Sequence, residues 1–173
     1  MSRTGPFIIT VSGRKFFPLD PNPSDILIED IAHALSNLCR WTGHVKEFYS
    51  VAQHSVLVAE HLPPHLALQG LLHDATEAYM ADVNKPMKSI LPDYQQYEAQ
   101  LQIAICERFG LRYPLDYRVK EEDTRSLATE KRDLMPGASF WSPTGEPWAT
   151  KIEPQPPREA REDFLYLYRE LTK

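Results

Sequence analysis

At 173 residues, with 42% hydrophobic and 25% charged residues, the chain has the length and balance of one globular domain able to bury a core. A formal charge of −5 and a pI near 5.7 argue against duplex nucleic acid as the main ligand, because proteins that neutralise many phosphates carry a basic face. The same balance leaves room for a small anion held by a few local cations. The two cysteines, Cys39 and Cys106, form neither a disulfide framework nor a C-x-x-C knuckle and read as buried free thiols in a reducing compartment.

In chain order, Met1-Ser2-Arg3-Thr4-Gly5-Pro6 lacks a hydrophobic signal core, and no apolar run of about 18 residues exists, so a cytoplasmic protein without membrane contact is expected. Phe7 to Val11 and Lys15 to Phe17 flank Ser12-Gly13-Arg14 and predict a small β-hairpin over 7–17. The fifteen prolines cluster, leaving 24–62, 65–85, 93–113, 115–135 and 158–173 as helical windows. The reason is energetic: proline costs about 3 kcal/mol inside a helix.

Within those windows Ile28, Ile31, Leu35 and Leu38 mark a first helix that breaks at Arg40-Trp41-Thr42-Gly43-His44. A second starts near Ser50, with Val51, Val58 and Leu62 on one face, and Pro63-Pro64 ends it. A third runs from about His65 to Tyr79 on a stripe of Leu68, Leu72, Ala75 and Tyr79. The fourth starts at Asp93, carries Tyr94, Tyr97, Leu101 and Ile105, and stops at Gly110, a left-handed cap. The fifth covers about Leu115 to Leu134. Residues 136–157, with Trp141 and Trp148, read as a wrapping loop before a last helix that begins near Pro157 and turns Ala160, Phe164, Leu167 and Leu171 inward. The prediction is a single all-α domain over 1–173: an N-terminal hairpin, a helical core at about 26–135, and a C-terminal loop and helix over 136–173.

Four polar residues interrupt these apolar faces. His54 stands three after Val51 and four before Val58, and Asp123 stands four after Val119 and four before Leu127. His73-Asp74 share a face with Gly70 and Glu77, where Gly70 leaves room one turn before them. An unpaired buried carboxylate is costly, and one divalent cation would serve His54, His73, Asp74 and Asp123 together. A mixed nitrogen and oxygen set suits a catalytic site better than a closed structural one. The alternatives are an ordinary core histidine at position 54 and an Asp123 paired with Lys or Arg.

His54, then His73-Asp74, then Asp123 resembles the H…HD…D pattern of the HD-domain metal-dependent phosphohydrolases over about residues 26–135. Arg40-Trp41 ahead of the first histidine, His73-Asp74-Ala75-Thr76-Glu77, Asp82 and Pro86-Met87-Lys88 are similar to the bacterial 5′-deoxynucleotidases and the phage dATP triphosphohydrolases. The resemblance implies an HD-domain helical bundle and one divalent metal ion (Co, Mn, Mg, Zn or Fe) on His54, His73, Asp74 and Asp123. It implies hydrolysis of (deoxy)nucleotides, removing 5′-phosphate from a dNMP or triphosphate from a dNTP, and a homodimer or higher homo-oligomer.

By the same resemblance Glu77 is the general acid/base, with orientation of His73 as its alternative role, and Asp82 meets the sugar hydroxyl. Arg40, Lys88 and Lys120 would hold phosphate, Lys88 from the loop after the HD helix. Trp41 would stack on the base or sugar, or else serve as an ordinary core aromatic. His44 departs from the pattern and carries no role, while His33, His61 and His65 read as surface or packing residues. The exposed aromatics of the Trp141–Trp148 region would suit an interface between copies. Two other readings stay open: a non-catalytic nucleotide- or metal-binding HD module, and a di-iron HD oxygenase. The latter is disfavoured because no histidine follows His73. Oligonucleotide cleavage is disfavoured by charge, and no stable nucleic-acid partner is expected.

Overall fold

The computed structural model describes residues 5–135, 137, 139–143 and 145–173. The other positions, including 136, 138 and 144 of the expected wrapping loop and the first four residues, lie outside the described set. Eight α-helices and one two-stranded sheet make up its regular structure among the described residues, an all-α fold with a small hairpin, as the sequence predicts.

Strands β1 (Ile8–Ile9) and β2 (Lys15–Phe16) pair antiparallel, Ile8 opposite Phe16 and Ile9 opposite Lys15. So short a ladder needs outside support. Phe16 supplies it by stacking on Tyr79 at 4.0 Å, and the buried Asp30 carboxylate accepts from both the backbone N–H and the hydroxyl of Ser12, each at 2.9 Å.

Helix α1 (Ile28–Asn37) follows, then a loop whose ends are pinned together: Cys39 bridges to Ser50, Arg40 N–H donates to Tyr49 O, and Val51 N–H donates to Leu38 O. Helix α2 (Val51–Glu60) starts under a Ser50 cap that accepts from Gln53 N–H. Helix α3 (Pro64–Leu71) has proline at its first turn, where the missing N–H is no loss. Helices α1, α2, α3 and α8 (Pro157–Leu171) pack together around Ile31, Leu35, Ala52, Leu71, Leu72 and Phe164, all fully or almost fully buried. Helix α6 (Pro92–Arg108) closes this core with Leu101 and Ile105, and α7 (Tyr117–Leu134), capped by Asp116, packs on α2 and α3.

Three expectations are corrected. The third predicted helix is not continuous to Tyr79: α3 ends at Leu71, a turn spans 72–76, and a short α4 (Glu77–Met80) follows. In an unbroken helix the Gly70 carbonyl would accept the N–H of residue 74. Here the His73 ring takes that carbonyl, with Nδ1–H donating to Gly70 O at 2.7 Å. Tighter three-residue bonds follow, Ala75 N–H to Leu72 O and Glu77 N–H to Asp74 O. Lys88 sits not in a loop but on a short helix α5 (Lys85–Lys88), capped by the Asn84 side chain. Trp148 is not an exposed aromatic; it is 1% exposed, stacks on His61 at 3.9 Å and donates its indole N–H to Glu122 at 2.9 Å.

Gly70 proves to be a packing glycine rather than a clearing beside the site. A Cβ there would run into the Leu62 methyl and meet Ala59 Cα at 3.1 Å. Gly70→Ala gains about 1 kcal/mol of helix propensity. Crowding into the backbone of α2 costs about 1–3 kcal/mol, and a backbone contact cannot swing aside as a side chain can. A net loss of stability is expected, read as a lower thermal midpoint by circular dichroism; an unchanged or higher midpoint would show that α2 and α3 part at little cost.

Candidate metal centre

The four residues singled out from the sequence converge. His54 comes from the fully buried face of α2, His73 and Asp74 from the turn between α3 and α4, and Asp123 from the second turn of α7. The two Nε2 atoms of His54 and His73 are 3.3 Å apart. Asp74 Oδ2 lies 3.2 Å from His73 Nε2 and 3.5 Å from His54 Nε2. Asp123 Oδ1 lies 3.4 Å from His54 Nε2 and 3.8 Å from His73 Nε2. Atoms bound to one cation at roughly 2.1 Å stand about 3–3.5 Å from their neighbours, so these separations are of the right size. The ligand atoms of His54, His73 and Asp123 all fall within 4.8 Å of one another, and this group could hold a metal ion; Asp74 reaches the two histidines from outside that group.

The chemistry of the donor set agrees with the spacing. His73 Nδ1 faces a carbonyl and must donate to it, and His54 Nδ1 donates to the Glu130 carboxylate at 2.9 Å. Each neutral ring therefore presents a bare Nε2 lone pair to the other ring and to carboxylate oxygens. Four acceptors meeting without a hydrogen between them call for a positive charge, a divalent cation or a proton. In the metal-free protein the proton takes that place. Burial alone would pull the His73 pKa down, but the Asp74 and Asp123 carboxylates outweigh it and hold the imidazolium well above the ordinary value of 6.5. Conversely, burial would raise both aspartates, and the two imidazoles hold them far below the usual carboxylate range.

Around this centre the remaining candidates take definite places. Glu77 is 7% exposed and its Oε2 has no hydrogen-bond partner. Burial, reinforced by the charges of Asp74 and Asp82, pushes its carboxyl up to about 9. It does not orient His73, whose Nδ1 is taken by Gly70. His73, Asp74 and Glu77 line an open cavity of about 280 Å³ together with Lys88, Glu98 and Tyr113. The Lys88 ammonium donates to Glu98 Oε1 at 2.7 Å. Asp82 lies just beyond α4, after the left-handed Ala81 (φ 66), half-buried, with a carboxyl that burial raises against the pull of Arg40. Lys120 is largely exposed, and its ammonium reaches Asp123 Oδ2 at 2.5 Å, on the oxygen turned away from the histidines.

Arg40 and Trp41 are more deeply committed than the sequence suggests. The Arg40 guanidinium is buried, with Nε 3.1 Å from Glu130 Oε1 and Nη1 3.4 Å from Asp74 Oδ2. Trp41 is half-buried, donates its indole N–H to Glu130 Oε2 at 2.8 Å and meets Trp141 edge-on at 5.4 Å. Its backbone is left-handed (φ 58), as is that of Thr42 (φ 53). His44 is exposed next to this turn.

The residue that sequence reasoning missed is Glu130, fully buried and in contact with His54, Arg40 and Trp41. A signal existed: Glu130 follows Asp123 by two helical turns and so shares its face of α7. Ser126, also buried, sits between them, its hydroxyl donating to Asp123 O at 2.7 Å.

No family model matches the chain. Two curated bacterial proteins do resemble it along most of its length. Over 136 residues, 78% of this chain and 76% of the relative, it is 47% identical to "Uncharacterized protein YfdR" of Escherichia coli. Over 138 residues, 72% of this chain and 70% of the relative, it is 37% identical to an uncharacterized protein of Rhodobacter capsulatus. Identity at that level across that much of both chains leaves no room for an unrelated fold: this chain belongs to the family of Escherichia coli YfdR.

Proposed function

We propose that the protein is an HD-type, metal-dependent phosphohydrolase acting on (deoxy)nucleotides. The observation that carries the proposal is the meeting of His54, His73, Asp74 and Asp123 through unprotonated or anionic atoms beside a 280 Å³ cavity whose wall also holds Glu77 and Lys88. These four residues would hold one divalent cation, Co, Mn, Mg, Zn or Fe. When bound, that cation supplies a polarised phosphoryl oxygen and a water whose pKa is brought toward neutrality.

The chain's own residues supply the rest. Lys88, now paired with Glu98, can exchange that partner for a phosphate oxygen at the cavity wall, and Lys120 offers a second ammonium from the solvent side. The Glu77 carboxyl, which burial raises in the metal-free protein, lines the cavity and would donate a proton to a leaving oxygen there. Arg40 is held rigidly between Glu130 and Asp74, keeping its outer N–H groups at the edge of the centre. Phosphoryl transfer asks for positioning and charge neutralisation more than covalent chemistry, and this is what the arrangement offers. Asp82, close enough to Arg40, Asp74 and Lys88 to feel their charges, is the candidate for the sugar hydroxyl, and Trp41 for the base or sugar face.

The substrate reading is tested by incubating the protein, loaded in turn with Co²⁺, Mn²⁺ or Mg²⁺, with a panel of dNMPs, dNTPs and their ribose counterparts. Release of orthophosphate from monophosphates and release of triphosphate from triphosphates distinguish the two branches. Binding of nucleotide without release of either product, across all metals, would replace the hydrolase with a nucleotide-binding module. Two irons per chain on metal analysis would replace it with an oxygenase.

A further inference from the structure

Glu130 is fully buried, and donor groups of His54, Arg40, Trp41 and Tyr49 gather around its carboxylate. Oε1 takes His54 Nδ1–H at 2.9 Å and lies 3.1 Å from Arg40 Nε; Oε2 takes Trp41 Nε1–H at 2.8 Å and Arg40 Nη2–H at 3.4 Å. Taking a carboxylate wholly out of water is expensive even when it is paired, so a group that only filled space here would be better apolar. What the charge provides is direction. A carboxylate on Nδ1–H keeps that nitrogen protonated, leaves Nε2 bare toward His73 and Asp123, and makes it a stronger base. The second oxygen holds the turn at Trp41 and Thr42, whose left-handed backbone persists only where its surroundings hold it.

We infer that Glu130 is a positioning residue: one buried carboxylate fixes the His54 tautomer for a divalent cation and anchors the strained turn at Trp41 and Thr42 beside it. The inference rests on the metal-centre reading above, and it assigns to α7 a second duty besides carrying Asp123. It explains why the turn and the centre lie in contact although they come from different elements: both are fastened to the same side chain.

Glu130→Gln keeps the shape but must turn an NH₂ toward at least one of these donors. In chelator-treated protein titrated with Co²⁺ and followed by its visible absorption, the variant is expected to bind about 10- to 100-fold more weakly than wild type. Glu122→Gln serves as the control for a merely structural carboxylate. It lies on the same helix and accepts from Trp148, so its loss should lower the thermal midpoint and leave Co²⁺ affinity unchanged. A folded Glu130→Gln protein that binds Co²⁺ within about twofold of wild type overturns the inference while the metal centre stands. Wild-type protein that binds no Co²⁺ overturns both. A measurement on unaltered protein guards against a variant that does not fold. Long-range ¹⁵N–¹H spectra of the metal-free chain should show His54 protonated on Nδ1, and protonation on Nε2 instead would overturn the inference.

Discussion

Glu77→Gln is expected to lower nucleotide turnover by about 10²- to 10⁴-fold while Co²⁺ affinity stays within about twofold of wild type. The two halves of that outcome separate the roles open to this residue. Glu77 is buried, one of its oxygens has no partner, and it faces the cavity beside Asp74. In the metal-free protein burial and the neighbouring charges of Asp74 and Asp82 bring its carboxyl to about 9, which favours the protonated form. Glutamine preserves size and a donor but cannot surrender the proton, so the loss should fall on kcat rather than on KM. If Glu77 served to aim His73, metal affinity and turnover would fall together, but the Gly70 carbonyl already holds that ring. Full turnover in the glutamine variant would remove Glu77 from the chemistry.

Addition of a tightly held divalent ion at a hundredfold excess over its Kd should raise the thermal midpoint by roughly 5–11 °C, and chelation should reverse the gain. The sign of the pH dependence should differ between the two forms. In the metal-free protein His73 has a folded pKa above its unfolded value of 6.5. Its contribution to stability is therefore full below that unfolded value and disappears as pH rises through the raised folded pKa. Asp74 and Asp123 are depressed, so their contributions hold until strongly acid pH. The chelated protein should accordingly lose stability toward alkaline pH, as the proton that separates the four acceptors leaves. The stabilisation conferred by a metal should grow over the same interval, since cation and proton compete for Nε2. Differential scanning fluorimetry across pH, with and without chelator, measures both trends. A midpoint indifferent to Co²⁺, Mn²⁺, Mg²⁺ and Zn²⁺ at every pH would leave the cluster as a proton-holding structural knot.

Much of this architecture can be read from where proline is tolerated. The prolines at 23, 64, 92 and 157 each stand in the first turn of a helix or 3-10 turn. The hydrophobic stripes identify inward faces correctly at Leu72, Ala75 and Tyr79 even though the helix they were assigned to is broken. That success and that error have one origin. A tight turn keeps a three-residue spacing close enough to helical that Leu72, Ala75 and the start of α4 still face the core, so periodicity cannot see the interruption. What ends α3 is a side chain capturing a backbone carbonyl, and that event leaves no trace in hydropathy. The candidate metal cluster is legible because polar groups on apolar faces stand out; Glu130 is less so because its surroundings on α7 are themselves rich in charge. The burial of Trp148 is illegible for the opposite reason. Its proline-rich neighbourhood suggested surface, whereas contacts with His61 and Glu122, distant in sequence, bury it.

Gly70 joins two of these observations. Its bare Cα is what allows α2 and α3 to touch, and its carbonyl is what aims the His73 ring. The distance between two rods and the heading of one imidazole are therefore a single mechanical coordinate. Any influence that wedges those rods apart would be felt first as a misdirected nitrogen, long before the domain as a whole gave way.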